Sequence, residues 1–149
     1  MFKKVITLSL LLSLSAFSGA KEGMIDVKSH HSVDETADKL EQVLLAKGMT
    51  VFNRVEHSKS AQKVGVTIPD SVLIIFGNPK IGSALMKCAP TSAIDLPLKA
   101  LIAQDANQDV WISYNDMSYL RARHSIKGCE KITDKMSGAL SKFANAAAN

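Results

Sequence analysis

The run Val72-Leu73-Ile74-Ile75-Phe76, followed at once by Gly77-Asn78-Pro79-Lys80, is the stretch from which the fold can be worked out. Five consecutive apolar residues predict a strand, and the lack of a polar face predicts burial on both sides. Asn78 and Pro79 are typical of a helix N-cap and of the first helical position, so a helix is predicted from there to about Cys88. A buried strand therefore leads directly into a helix.

The residues before this run predict a strand, a helix, a second strand and a short helical turn over residues 58–64. Residues 24–30 form the first strand, and Ser32 with Glu35 three positions later is a capping box that starts a helix. Gly48 ends this helix, because glycine often follows a helix C-terminus. Residues 50–57 then form the second strand. The core-facing positions of the helix recur at helical spacing and are Val33, Ala37, Leu40 and Leu44.

The residues after the run predict a hairpin and two helices. Apolar residues alternate over 94–102, which indicates a half-buried strand, and Pro97 favours an edge or a bulge there. A strand over 110–114 completes the hairpin, and a helix follows over about 117–124. Residues 146–149 are expected to fray. The stripe of the C-terminal helix consists of Cys129, Ile132, Met136, Leu140 and Phe143.

This order of elements predicts an α+β fold in which an antiparallel β-sheet has helices packed on one face. The chain has 149 residues, of which 46% are hydrophobic and 21% charged. Such a composition is typical of a globular protein and excludes a disordered or fibrous one. We therefore expect residues 21–149 to form a single domain.

Residues 1–20 have the three-part organisation of a secretory signal peptide. Lys3 and Lys4 precede an uncharged apolar run, and the small residues Ser18 and Ala20 suit a signal peptidase. The apolar run is shorter than the roughly 20 residues that span a bilayer. We expect cleavage after Ala20, a periplasmic or secreted product, and no membrane insertion after the leader is removed.

Removal of the leader also changes the charge of the chain. The whole sequence carries 18 Lys and Arg against 14 Asp and Glu, and the leader holds two of the lysines, so the net charge falls from +4 to +2. The remaining charges of both signs are interspersed. The sequence therefore lacks the basic stripe that a phosphate backbone requires, and nucleic acid is not an expected partner.

Two cysteines in an exported chain favour one disulfide, between Cys88 and Cys129. The bond would close a loop of about 42 residues, for which the chain-entropy model gives about 4 kcal/mol of stabilisation. The alternative is a pair of reduced thiols that are reactive or bind a metal, although the spacing is neither CxxC nor that of a zinc knuckle. The distance between the two residues in the fold decides between them.

Several motifs resemble those of one known family. They are Phe76-Gly77-Asn78-Pro79-Lys80, Ile81–Met86, Ala93–Lys99, Trp111–Asp116, Asp34–Ala37 with Leu40, and Glu56-His57 with Ala61. On these motifs, residues 24–126 resemble the family catalogued as "domain of unknown function 302", a small bacterial and archaeal domain. The order and separation of FGNPK and DLPLK make the resemblance specific.

The resemblance implies a curved antiparallel sheet with packed helices, similar to the TATA-box-binding-protein-like class, and it implies homodimers. It implies no established activity and no catalytic residue. Residues 127–149 are then an added C-terminal helical extension, which the disulfide would fasten to the core.

The segment from Gly77 to Ser83 is a candidate anion site. Backbone N–H groups and the helix dipole at a strand-to-helix turn can hold an anion, and Lys80 adds a cation. The segment is not a Walker A loop, because Gly82 is followed directly by Ser83. The alternative is a well-capped helix start that needs no ligand.

Histidines are the candidate metal ligands, and His57 and His124 are the two that a metal would use. His30 and His31 would point to opposite faces of a strand. Because no HxH, HExxH or HxxxH spacing occurs, exposed or capping histidines are the alternative.

Acid/base chemistry has candidates in Asp95, Asp116 and Tyr114, although spacing alone does not fix how far apart they lie. Asp116 also suits the cap of the helix that begins at Met117, and Asp95 suits a water-facing position. No serine lies in a GxSxG elbow. The sequence therefore predicts no catalytic residue and no cofactor.

The leading prediction is a small exported binding or interaction protein that holds a small ligand or a protein partner in a cleft between sheet and helices. A metal- or haem-associated periplasmic accessory protein that uses His57 or His124 is one alternative, and an enzyme of unrecognised type is another. The predicted ligand-binding residues are His57, Gly77, Asn78, Lys80, Trp111 and Tyr114.

Overall fold

A computed structural model describes residues 22–149, so the predicted signal peptide lies outside the described residues. Among those residues, no helix has the length and apolar character that crossing a bilayer requires. The elements are, in chain order, β1 (Met24–Ser29), α1 (Val33–Ala46), β2 (Thr50–Glu56), α2 (His57–Gln62), β3 (Ser71–Gly77), α3 (Pro79–Cys88), a 3₁₀ helix (Pro90–Ile94), β4 (Leu98–Gln104), β5 (Val110–Asn115), α4 (Met117–Arg123) and α5 (Glu130–Ala148).

The five strands form one antiparallel sheet in the order β1-β5-β4-β3-β2. The predicted hairpin is present, with Ala100 of β4 opposite Tyr114 of β5. The helices α1 and α5 pack on each other, α1 against β2, β3 and β4, and α5 against β1. The predicted α+β fold is confirmed.

Local signals account for the bounds of α1. The Ser32 side chain accepts a hydrogen bond from the Glu35 N–H, and the Glu35 carboxylate accepts one from the Ser32 N–H, so the predicted capping box is present. Gly48 has a φ of 69°, which glycine adopts without strain. The predicted core positions Val33, Ala37, Leu40 and Leu44 are all buried.

Burial of β3 on both faces was expected, and this prediction is wrong. Val72, Ile74 and Phe76 point to the helix layer and are buried, whereas Leu73 and Ile75 point to the opposite face and are half-buried. The residues alternate because successive side chains of a strand point to opposite faces. The unbroken apolar run belongs to an interior strand, between β4 and β2, whose second face is only half-buried.

The strand expected from Ile94 begins later, at Leu98. Residues 90–94 form the 3₁₀ helix, and the Ile94 side chain is 72% exposed. Pro97 precedes β4, so the ladder needs no N–H from it. The strand can for this reason occupy an interior position between β3 and β5, rather than the edge or bulge that Pro97 was predicted to favour.

Fraying of residues 146–149 was expected, and this prediction is wrong for the final turn of α5. Ala147 and Ala148 are buried, at 0% and 1% exposure. The N–H of His30, just after β1, donates to the carbonyl of Ala148 over 3.0 Å. Contact with a distant part of the chain therefore holds the end of the helix in place.

Cys88 and Cys129 are joined in the structure as a disulfide. Their Cα atoms lie 6.5 Å apart, within the range that such a bond requires. The bond ties the end of α3 to the start of α5.

Candidate functional site

A cavity of about 530 Å³ lies between α3, α5 and the end of the sheet where β3 ends and β4 begins. Cavities of this size are typical of small-molecule sites. Its apolar lining consists of Met49, Phe52, Phe76, Pro79, Ile81, Met86, Leu96, Pro97, Leu98, Met136, Ala139, Leu140 and Phe143. The other lining residues are Lys47, Gly77, Asn78, Gly82, Ser83 and Lys135.

The sheet and α3 form one side of the cavity. Phe76 and Leu98 are opposite each other in the register of β3 and β4, and both are buried on the helix side. The helix α3 begins two residues after β3 ends, and Pro79, Ile81, Gly82 and Ser83 of its first turns line the same cavity as this pair. Gly82 faces Leu96, and a Cβ added there would lie 3.8 Å from Leu96 Cδ1. A larger side chain at position 82 would occupy the cavity.

The helix α5 forms the other side of the cavity. Met136, Leu140 and Phe143 lie on one helical stripe, as predicted, and are 4% to 8% exposed. Ala139 stands beside them on the same face and is half-buried. The small side chain of Ala139 leaves space that a larger residue would fill.

Phe52 lines the cavity from the edge strand β2, where the register shifts between Val51 and Asn53. Such a bulge changes the direction in which a side chain points. Phe52 is 52% exposed although it lines the cavity. It therefore lies where the cavity meets solvent.

A groove of about 480 Å³ adjoins the cavity and runs between α3 and α5. Asn78, Ile81 and Lys135 line both hollows, so the two lie side by side. The rest of the groove is lined by Lys80, Ala84, Lys131 and Ile132. Among the described residues that line either hollow there is no Asp or Glu.

Asn78 caps α3, as the sequence predicts. Its side-chain oxygen accepts hydrogen bonds from the N–H groups of Lys80, at 3.0 Å, and Ile81, at 3.4 Å. These are two of the donors that a bound anion would need at the helix N-terminus. The structure therefore favours the capped helix start over the backbone anion site.

The structure brings together some of the predicted ligand-binding residues and separates others. Gly77 and Asn78 line the cavity, and Lys80 lines the groove. His57 is exposed at the start of α2. The tertiary structure thus gathers the residues that follow β3 and leaves His57 outside the cavity wall.

Trp111 and Tyr114 lie elsewhere, on opposite faces of the sheet. Trp111 points to the face away from α1 and α5, and its Nε1–H donates to Asp105 over 2.9 Å, which lowers the pKa of that carboxyl. The Lys28 ammonium lies 5.9 Å from the Trp111 ring centroid. Tyr114 is 5% exposed in the core, and burial raises the pKa of its hydroxyl. Both side chains have structural partners that account for their positions.

The two histidines of the metal hypothesis lie at different ends of the sheet. His57 follows β2, and the end of β2 pairs with the start of β3. His124 contacts Asp95, which lies just before β4, and the start of β4 pairs with the end of β3. Within residues 22–149, no group of three or more His, Cys, Asp or Glu side chains has the arrangement of a metal site.

Asp95 and His124 form a contact that the sequence did not predict. His124 Nε2 lies 2.6 Å from the Asp95 carboxylate, and Nδ1 lies 3.0 Å from the Thr91 hydroxyl. Asp95 was expected to face water, but its side chain is only 14% exposed. The contact joins the 3₁₀ helix to the end of α4. Asp116, by contrast, caps α4 as predicted, by accepting from the Ser118 N–H at 3.1 Å.

Of the predicted ligand-binding residues, only Gly77 and Asn78 line the cavity, and sequence reasoning missed the rest of the lining, including Phe52 and the residues of α5. The stripe on α5 was predicted, but as core. The sequence signal that could have pointed to a cavity is the small residue Ala139 within an otherwise bulky stripe. No comparable signal exists for Phe52, because its position depends on the bulge in β2.

Residues 25–143 match the family described as "Domain of unknown function DUF302". The chain belongs to the DUF302 family. The match reaches residue 143 and so takes in most of α5, whereas the motifs of the resemblance cover residues 24–126. All of the residues that line the cavity, from Lys47 to Phe143, therefore lie within the part of the chain that matches the DUF302 family.

Curated relatives of this DUF302 chain are named as fluoride-specific ion channels. "Fluoride-specific ion channel FluC 1" of Brucella suis is 41% identical over 104 residues, which are 70% of this chain and 41% of that protein. "FluC 1" of Brucella abortus and "FluC 2" of Brucella melitensis are also 41% identical, over 38% of their length. The DUF302 chain thus spans about two fifths of the length of these relatives.

One solved structure shows the same fold. The "uncharacterized conserved protein DUF302 from Bacillus stearothermophilus" superposes with a TM-score of 0.77 at 17% sequence identity, and the match covers 85% of this chain and 99% of that one. The α+β architecture with a five-stranded antiparallel sheet is therefore that of a known DUF302 protein.

Proposed function

We propose that this DUF302 chain is a binding module that holds a small, largely apolar molecule in the cavity between α3, α5 and the sheet. The observation that carries the proposal is the cavity itself, about 530 Å³ and lined mainly by apolar side chains. Hydrocarbon that leaves water for such a lining gains roughly 25 cal/mol for each Å² of apolar surface that is buried. A ligand of matching shape is the simplest occupant.

The character of the lining supports a binding role. Met49, Met86 and Met136 all line the cavity, and methionine side chains adapt their shape to different neighbours. The Asp95–His124 pair and the candidate acid/base residues do not line it. The chemistry that the cavity offers is therefore recognition of an apolar body.

Fluoride, the ion in the name of the curated relatives, does not suit this cavity. Fluoride is a small, strongly hydrated ion that needs hydrogen-bond donors or cations around it. The cavity is lined mainly by hydrocarbon, and its volume is far larger than the volume of a fluoride ion. We propose that this chain corresponds to a ligand-binding part of those longer proteins rather than to their ion pathway.

No histidine among the described residues lines the cavity, so the haem alternative has no imidazole there. Neither His57 nor His124 is among the described residues that line it. Haem would therefore lack the axial ligand that this alternative assigned to a histidine.

The test uses N-phenyl-1-naphthylamine, an uncharged dye whose fluorescence rises in apolar sites. We expect saturable binding by the wild-type protein, and a Kd at least about tenfold higher for Ala139→Trp, because the indole ring would fill the space that the dye needs. Gly82→Leu is the second blocking variant. Titrations followed by fluorescence measure both.

Ala146→Trp is the matched control, since Ala146 is an exposed alanine on the same helix and does not line the cavity. It should bind the dye as the wild type does. Circular dichroism establishes that each variant is folded. If the wild-type protein does not bind the dye, or if both folded blocking variants bind it unchanged, the proposal is wrong.

A further inference from the structure

Three lysines line the groove that adjoins the cavity. Lys80 lies in the first turn of α3, and Lys131 and Lys135 lie one turn apart on α5. Lys135 lines the cavity as well as the groove. Positive charge is thus concentrated at one side of the apolar hollow.

These lysines are free of carboxylate partners in the described part of the chain. None of the ion pairs among residues 22–149 includes any of them. The nearby carboxylates on α5 have other partners, since Asp134 accepts a hydrogen bond from Arg121 and Glu130 accepts one from the Gly128 N–H. The three ammonium groups are therefore not paired with a carboxylate within this part of the protein.

The placement of the three lysines is unfavourable for the isolated fold. Two like charges at positions i and i+4 of a helix, as at Lys131 and Lys135, destabilise it. Lys80 stands at the N-terminal end of α3, which is the positive end of the helix dipole. One anion in the groove would relieve both costs.

We propose that the ligand is a single-chain amphipathic anion, with its apolar body in the cavity and its carboxylate or phosphate group in the groove between Lys80, Lys131 and Lys135. The proposal rests on the proposed function and names the chemical class of its ligand. Lysine ammonium groups form charge-assisted hydrogen bonds with both kinds of anion. Asn78, Ile81 and Lys135 border both hollows, so a single molecule that extends past these residues would contact both.

The test compares probes that share one hydrocarbon chain and differ in the head group. They are dodecanoate, dodecyl phosphate, dodecanol and dodecyltrimethylammonium, each measured by its displacement of the dye below its micellar concentration. We expect at least one of the two anions to bind about tenfold or more tightly than dodecanol, and the cation to bind no better than dodecanol. The advantage of the anion should fall as salt is raised.

The Lys131→Gln/Lys135→Gln double variant measures the part played by the lysines. It should lose most of the anion's advantage and bind dodecanol as before. Lys142→Gln is the matched control, because Lys142 is an exposed lysine on the same helix that does not line either hollow. It should keep the full preference for the anion.

The outcomes separate this inference from the proposed function. If dodecanol displaces the dye but neither anion binds more tightly, the anionic head group is refuted and the apolar cavity stands. If the dye itself does not bind, both proposals fail. The protein could also sediment with phosphatidylglycerol vesicles, and dodecanoate could fail to prevent this. That result would assign the lysines to a membrane surface and would overturn the single-chain ligand.

Discussion

Arg54 is the residue whose replacement should make stability depend differently on pH. Its guanidinium reaches the helix layer from the edge strand β2 and lies 3.2 Å from Asp34, 2.5 Å from Asp38, 3.7 Å from Glu41 and 3.3 Å from Glu56. The side chain is 23% exposed. Without it, four carboxylates would face one another with little compensation.

We expect Arg54→Met to lower the free energy of unfolding by about 1–3 kcal/mol at pH 7, because it removes charge-assisted hydrogen bonds. The loss should shrink near pH 3.5, roughly where carboxylates become protonated. The pKa of Glu56 is lowered by a hydrogen bond from Lys59 and by nearby cations that include Arg54. The ionised Glu56 carboxylate therefore stabilises the folded protein above the ordinary pKa of glutamate. This stabilisation is lost as the pH falls through the lowered pKa of Glu56 in the folded protein.

Urea unfolding at both pH values measures the effect. Lys28→Met is the control, since the Lys28–Asp109 pair has side chains that are 50% and 38% exposed and should contribute at most about 1 kcal/mol. An equal loss for Arg54→Met at both pH values would show that the aliphatic part of the side chain matters, and not its charge.

The helices α3 and α5 form the cavity walls, and the Cys88–Cys129 bond connects them. The two residues are 41 positions apart, so we expect the Cys88→Ser/Cys129→Ser variant to lose up to about 4 kcal/mol in the free energy of unfolding. Its affinity for the dye should also fall, because the spacing of the walls is less restricted. Peptide mapping without reductant should find the two residues linked.

Reductant is the control for this prediction. It should bring the stability of the wild-type protein to that of the double serine variant and should leave the variant itself unchanged. Two freely alkylated thiols in protein taken from its own compartment would refute the bond.

For the molecule as a whole, we propose export and cleavage after Ala20. Protein recovered from the periplasm or the medium should then begin at Lys21, and an intact mass spectrum shows this directly. Ala20→Arg should block cleavage, because the peptidase cleft accepts only small side chains there. Intact Met1 on cytosolic protein would contradict the placement.

The homodimer implied by the family resemblance stays a prediction, and a native mass spectrum reports it.

The elements that sequence reasoning placed well are those with local signals. The capping box at Ser32, the Asn78–Pro79 helix start and the Asp116 cap each lie within a few residues of the groups that they bond. The start of β4 was misplaced because alternation continues through residues that the structure puts into a 3₁₀ helix. The end of α5 was misplaced because its partner, His30, is remote in sequence.

The amino-acid sequence alone determined the fold class, the order of the elements, the family and the helix stripes, since each depends on short-range periodicity, on caps or on motifs. Only the tertiary structure decided which apolar residues line a cavity and which lysines line its groove. Phe52, Gly82 and Ala139 come from β2, α3 and α5, and nothing in their local sequence marks them as neighbours. A cavity is the space that packed elements leave between them, so it exists only after long-range contacts have set their distances.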